Sequence, residues 1–198
     1  MAGVADLAGV ATQTMYFSFG SKAALLREVL VVRRTGPGES SEVAAREWFA
    51  EAMAAADQRR ALALSVEGGT EVLARLSPLA HAMTSAELVD DEFAEVMQQI
   101  RAERRSAMTR LVEALDQTGG LAAPRSTAID VVDVVQSMAT YHALVAGCGW
   151  TPQLYKAWAY RTLTQLMVAV APGRSRKLDL AATADLSYRE ELEGLLPT

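Results

Sequence analysis

Apolar residues return every three or four positions through most of the chain, the spacing that puts them on one face of an α-helix. Glycine and proline cut this pattern into segments. The first short run ends at Gly9, the second at Gly20-Ser21 and the third at Thr35-Gly36-Pro37-Gly38. Beyond that linker the helices lengthen. One is predicted over about 42–56, with Trp48, Phe49 and Met53 on one side. The next covers about 58–81, with a kink or break where Gly68-Gly69 and Pro78 interrupt it. The most regular stripe is Phe93, Val96, Met97, Ile100, Met108, Leu111, Val112 and Leu115. It predicts a long helix that opens near Thr84, where Thr84-x-x-Glu87 has the form of a capping box, and stops at Gly119-Gly120. A further helix is predicted from Ser126 to about Gly147, with Val131, Val134, Val135, Met138, Tyr141 and Val145 on one face. Thr151-Pro152 opens the last long helix, which carries Tyr155, Trp158, Thr162, Leu166 and Met167 and ends at Pro172-Gly173. A short helix is expected near 184–195.

Composition turns this into an all-α expectation. Hydrophobic residues make up 51% of the chain and proline occurs only 6 times in 198 residues, so strong helix formers can build a real core. Cys148 stands alone, and no Cys/His cluster has metal-ligand spacing, which excludes an internal disulfide and implies no metal or cofactor. No apolar run is long enough for a membrane span, and the N-terminus lacks the form of a signal peptide, so a cytoplasmic location is expected. There is no nucleophile elbow, phosphate loop or Cys–His arrangement, so no catalytic residue is nominated and an enzyme is not expected. Charge is uneven. The first 35 residues hold four basic and two acidic groups, whereas the rest hold fifteen and twenty-two, a basic head on an acidic body.

The most specific pattern lies in residues 4–26. It reads as a short helix, a tight turn at Gly9 and a second short helix. Ala5 is small enough for two helices to cross closely, Gly9 supplies the backbone conformation of the turn, and Val10 and Met15 are placed to fill the space between. These are the demands of a helix-turn-helix, whose second helix enters the major groove of DNA N-terminus first. Thr12, Gln13 and Thr14 lead that helix with side chains able to hydrogen-bond base edges or phosphates. Ser21-Lys22 starts a third helix, whose free N–H groups and ammonium suit a phosphate.

The Ala8-Gly9-Val10 turn, followed by Thr14-x-Tyr16-x-x-Phe19-Gly20-Ser21-Lys22-x-x-Leu25-Leu26, resembles the signature of TetR-type transcriptional regulators. The resemblance implies that Tyr16 and Lys22 contact backbone phosphates, that Thr12, Gln13, Thr14 and Phe17 face the groove, and that Phe19 and Leu25 are structural. Ser18 stands where many members have histidine, which weakens one phosphate contact. A looser likeness continues: Leu144-Val145, Gly149-Trp150-Thr151-Pro152 and Tyr155-x-x-Trp158 are similar to actinobacterial-type members. It implies that the last two long helices form a four-helix dimer interface, here with Val131, Val135, Met138, Val145, Tyr155, Trp158, Thr162 and Leu166. Family members carry a further helix ahead of the head. Met1 stands almost at the first helix here, so the expectation is either a truncated head or a start that lies upstream.

The implied layout is a helix-turn-helix DNA-binding head lacking its first helix over 1–35, a helical effector-binding and dimerisation domain over 39–171, and a tail over 172–198. The implied function is a ligand-responsive repressor that binds a palindromic double-stranded operator as a homodimer. The alternative is a helical ligand- or partner-binding dimer that does not hold DNA.

A small apolar effector is expected in the body between about Glu42 and Tyr141. The candidate lining is Trp48, Met53, Met97, Ile100, Arg104, Met108, Met138, Tyr141 and His142. Methionine there, Met83 included, suits an adaptable pocket or plain core. Arg104 on the apolar stripe reads either as the counter-ion of an acidic effector or as the partner of a carboxylate from a neighbouring helix. His142 reads as a pocket or pH-sensing group, or as a hydrogen-bonded interface residue. His81 reads as a favourable charge at a helix C-terminus, and Asp90-Asp91-Glu92 as a solvated helix start.

Overall fold

The computed structural model describes residues 1–35 and 42–168, and these are all-helical. The linker signal at 36–38, the Pro172-Gly173 stop and the helix expected near 184–195 lie outside the described residues. Helix α1 (Ala2–Ala8) ends at Gly9, whose φ of 66° is the left-handed conformation that glycine adopts without strain. Helix α2 (Thr12–Phe19) follows, and Ala5 and Met15 are buried between the two. Val10 is 41% exposed and does not fill that space as expected. Helix α3 (Lys22–Arg34) is capped by Ser21, whose hydroxyl accepts from the Ala24 amide at 3.0 Å.

In the body, a single 3-10 turn (Val43–Ala45) and α4 (Glu47–Ala54) replace the helix expected over 42–56. Helix α5 (Gln58–Leu76) runs unbroken through Gly68-Gly69, a correction to the predicted kink there. The glycines serve close approach instead: a Cβ on Gly68 would lie 2.2 Å from the Trp48 ring, and one on Gly69 would lie 2.7 Å from the Gln136 amide oxygen. The break falls at the 3-10 turn Ser77–Leu79, which contains Pro78. Because α5 is central, Ala61 to Val66 are buried without interruption, as in a helix covered on every side.

Helix α6 (Ala80–Glu87) contains Thr84, whose hydroxyl donates to the Ala80 carbonyl rather than capping anything. The long helix α7 (Asp91–Gly119) is opened by Asp90, whose carboxylate accepts from the Phe93 amide at 3.0 Å. Asp90 can take only one helix, and it lies where the apolar stripe begins, so the capping box at Thr84 is corrected. His81 is also corrected, since it lies in the first turn of α6 and not at a C-terminus. The helix expected over 126–147 is divided into α8 (Arg125–Val135), α9 (Met138–His142) and a π-helical turn (Ala143–Gly147). Ser137 caps α9, accepting from the Thr140 amide. Helix α10 (Pro152–Met167) begins at the Thr151 cap, as predicted.

The main core lies between α5, α7, α8 and α10 and centres on Leu62, Val66, Leu111, Val112, Tyr155 and Leu163. A second cluster joins the head to the body: Ala23 and Leu30 of α3 pack with Val72, Leu76, Met83, Phe93 and Met97. The buried Gln58 amide donates to the carbonyls of Leu115 and Gly120, 2.7 Å each, and so ties the start of α5 to the end of α7.

Candidate functional site

Two regions answer to the sequence-derived candidates. The first is the outer face of the head. Gln13 and Thr14 are exposed in the first turn of α2, and Thr12 is half-buried beside them. Tyr16 is 52% exposed and Phe17 93%, while Met15 between them turns inward. Lys22 is exposed in the first turn of α3, and Ser21 just before it donates to the Glu92 carboxylate of α7 at 3.1 Å. Five of the six nominated residues are therefore solvent-facing, four along α2 and Lys22 at the start of α3.

The second region is a body cavity of about 480 Å³ walled by α4, α5 and α7, the end of α3 and the α8–α9 break. Trp48, Met97, Ile100, Arg104, Met108 and Met138 line it, as nominated. Met53, Tyr141 and His142 do not, and these are corrections. Met53 packs on the main core. The break at Gln136-Ser137 resets the helix phase, so Met138 reaches the cavity while Tyr141 turns into the core, edge-on to Tyr155 with ring centres 4.9 Å apart. His142 meets Ser77 through Nδ1 at 3.4 Å and stands edge-on to His81.

Sequence reading missed the α5 wall, Val72, Leu73 and Leu76, together with Gln136, Arg34 and Arg110. The α5 residues lie on a helix that is apolar on most sides, so no stripe marks a cavity wall. Gln136 interrupts an apolar face, which is the one signal it offered; buried, it donates to the Ser65 hydroxyl at 3.2 Å.

The electrostatics of the cavity are mostly internal pairs. Arg104 meets the Asp133 carboxylate of α8 at 2.9 Å and also donates to the Asp133 carbonyl. Burial pulls its pKa down, and Asp133 opposes this. Arg104 is thus already partnered by a neighbouring helix, the second of its two expected roles. Arg101 is paired with Glu87, whose hydrogen bond raises its pKa. Arg34 lies 3.5 Å from Glu103.

Of the nominated interface residues, Val135 and Tyr155 are corrected. Both are buried in the protomer's own core, and the Tyr155 hydroxyl donates to the Val135 carbonyl at 2.7 Å. That bond satisfies the open end of α8 and holds the ring inward, so neither offers surface to a second copy. Burial raises the Tyr155 pKa far above the ordinary tyrosine value. Val131, Met138, Val145 and Trp158 are half-buried against the same core, and Trp158 also meets Trp150 edge-on. Thr162 is half-buried, and Leu166 is exposed in company with Val134 and Leu154.

Among the described residues no cluster of three metal-ligating side chains occurs, and no helix is long and apolar enough to cross a membrane. The chain matches no protein-family model, no curated protein and no solved structure.

Proposed function

We propose that the chain is a ligand-responsive transcriptional regulator of TetR type. In this reading it acts as a homodimer whose α2 helices enter successive major grooves of a near-palindromic operator, about 34–36 Å apart. One observation carries the reading: a single helix serves both regions. Helix α3 starts at Lys22, directly after the turn that closes α2, and ends at Arg34 on the cavity wall. Gln13 and Thr14 meet base edges, and Lys22, the Tyr16 hydroxyl and the α3 N-terminus hold phosphates. A small apolar effector in the cavity favours one placement of α3 over another, which changes the spacing of the two heads and releases the DNA.

The test is titration of the full chain onto duplex DNA from upstream of its own gene, across a salt series. Affinity falls steeply with salt, and Lys22→Ala lowers the logarithmic slope by about 1 without moving the unfolding transition. If neither that DNA nor random duplex is bound, the reading fails. A second reading, a ligand- or partner-binding helical dimer, draws on Leu7, which is 91% exposed on the head. An apolar side chain so bare suits a protein surface better than a phosphate backbone.

A further inference from the structure

We propose that the body cavity takes an apolar molecule carrying one anionic group, with Arg110 as the residue that meets the anion. This rests on the effector reading of the cavity. The walls are mainly apolar, with Trp48, Leu73, Met97, Ile100 and Met108 among them, and the volume of about 480 Å³ falls within the range of small-molecule sites. Four arginines and two glutamates also line it.

Following each charge to its partner leaves one over. Arg34 faces Glu103, Arg101 is held by Glu87, and Arg104 by Asp133. Glu42 is engaged as well. The Arg110 guanidinium lies over the Phe49 ring, 5.5 Å from its centre, and meets no carboxylate among the described residues. Held over a ring, a guanidinium keeps its N–H donors for a planar, two-oxygen partner. A neutral apolar occupant would leave that cation without a partner, and a cationic one would be repelled by it. A carboxylate on an apolar body supplies both contacts at once.

The probes are decanoate, decanol and decylamine, matched in chain length and titrated onto the full chain by calorimetry and tryptophan fluorescence. Decanoate binds at least about tenfold more tightly than decanol. R110Q brings the two within about threefold, whereas R125Q, which removes an exposed cation paired with Asp116 outside the cavity, leaves the ratio unchanged. Arg110 is exposed and gives up only its contact with the Phe49 ring, so R110Q unfolds within a few degrees of the parent. Equal or tighter binding of decanol or decylamine, an unchanged ratio in R110Q, or no binding of any probe overturns the proposal. DNA binding is followed separately by anisotropy. If decanol releases DNA as well as decanoate does, the anion site falls and the regulator stands. If decanoate binds through Arg110 but no DNA is held, the regulator falls and the anion site stands.

Discussion

Helices α1 and α2, of 7 and 8 residues, and the body's central helices α5 and α7, of 19 and 29, bury very different amounts. Between α1 and α2 only Ala5 and Met15 are buried, and Val4, Leu7 and Phe17 face outward. The body buries a continuous cluster in which Leu62, Val66, Leu111, Val112 and Leu163 are almost wholly covered. Burying one large apolar side chain contributes about 1.5–3 kcal/mol, while ordering each backbone residue costs about 1–2 kcal/mol. The α1–α2 pair therefore does not hold itself together by its own core. It depends on α3, which is fastened to the body through Ala23 and Leu30. The outer face of α2 is carried by the body's stability without contributing much to it.

The largest effect that tests this contrast comes from paired truncations. Leu111→Ala lowers the free energy of unfolding by about 2–5 kcal/mol in chemical denaturation. Met15→Ala leaves the main transition within about 0.5 kcal/mol and speeds amide exchange in residues 2–19 alone. An equal loss in both variants would mean that head and body melt as one unit, and the contrast would break.

A smaller effect concerns pH. The raised Tyr155 pKa means that the folded protein keeps the phenol neutral where the unfolded chain has lost its proton. Stability is thus intact below pH of about 10 and falls above it, by about 1.4 kcal/mol per pH unit for each such tyrosine. Tyr155→Phe costs about 1 kcal/mol at neutral pH, through the Val135 carbonyl left without its donor, and flattens the alkaline decline. Urea titrations at pH 7 to 11 measure both; a decline of unchanged steepness in the variant would assign it to other groups.

The smallest effect sharpens the contrast within the body. Gly68→Ala gains about 1 kcal/mol of helix propensity but meets the Trp48 ring, and the clash costs about 1–3 kcal/mol. The net is a loss of about 1 kcal/mol, together with a changed Trp48 fluorescence spectrum as the ring shifts toward the cavity. A stabilised protein with an unchanged spectrum would show that the close approach has no energetic weight.

What was legible in the sequence was mainly what is local. Gly9, the Ser21 start and the Thr151-Pro152 start each act through atoms within a few residues, so their chemistry is written where it operates. Thr84-x-x-Glu87 has an equally good local form, and Asp90 overrode it because the body places the apolar stripe only from Phe93 onward. Gly68-Gly69 reads as a breaker unless Trp48 and Gln136, which come from distant parts of the chain, are known to press on it. The cavity was half legible for the same reason. Its α7 wall follows a clean stripe, whereas its α5 wall lies on a helix covered on every side, where periodicity does not separate core from cavity lining. Tyr155 shows the converse error: an aromatic residue on an apolar face says that it is buried, not against which chain.

The end of α3 has a mechanical meaning. Its last carbonyl, on Arg34, accepts from the guanidinium groups of both Arg46 and Arg75, the latter at 3.3 Å, two cations at the negative end of a helix dipole. That end is pinned at the cavity wall, and the helix extends from it for 13 residues, about 20 Å. A rod of that length turns angle into distance. Ala23, beside Lys22, also packs into the body, so a tilt of about 6° that carries Lys22 through about 2 Å has to repack the cluster around Ala23 and Leu30. With both ends of α3 seated on the body, α3 shifts only together with the residues that line the cavity and the cluster beneath it.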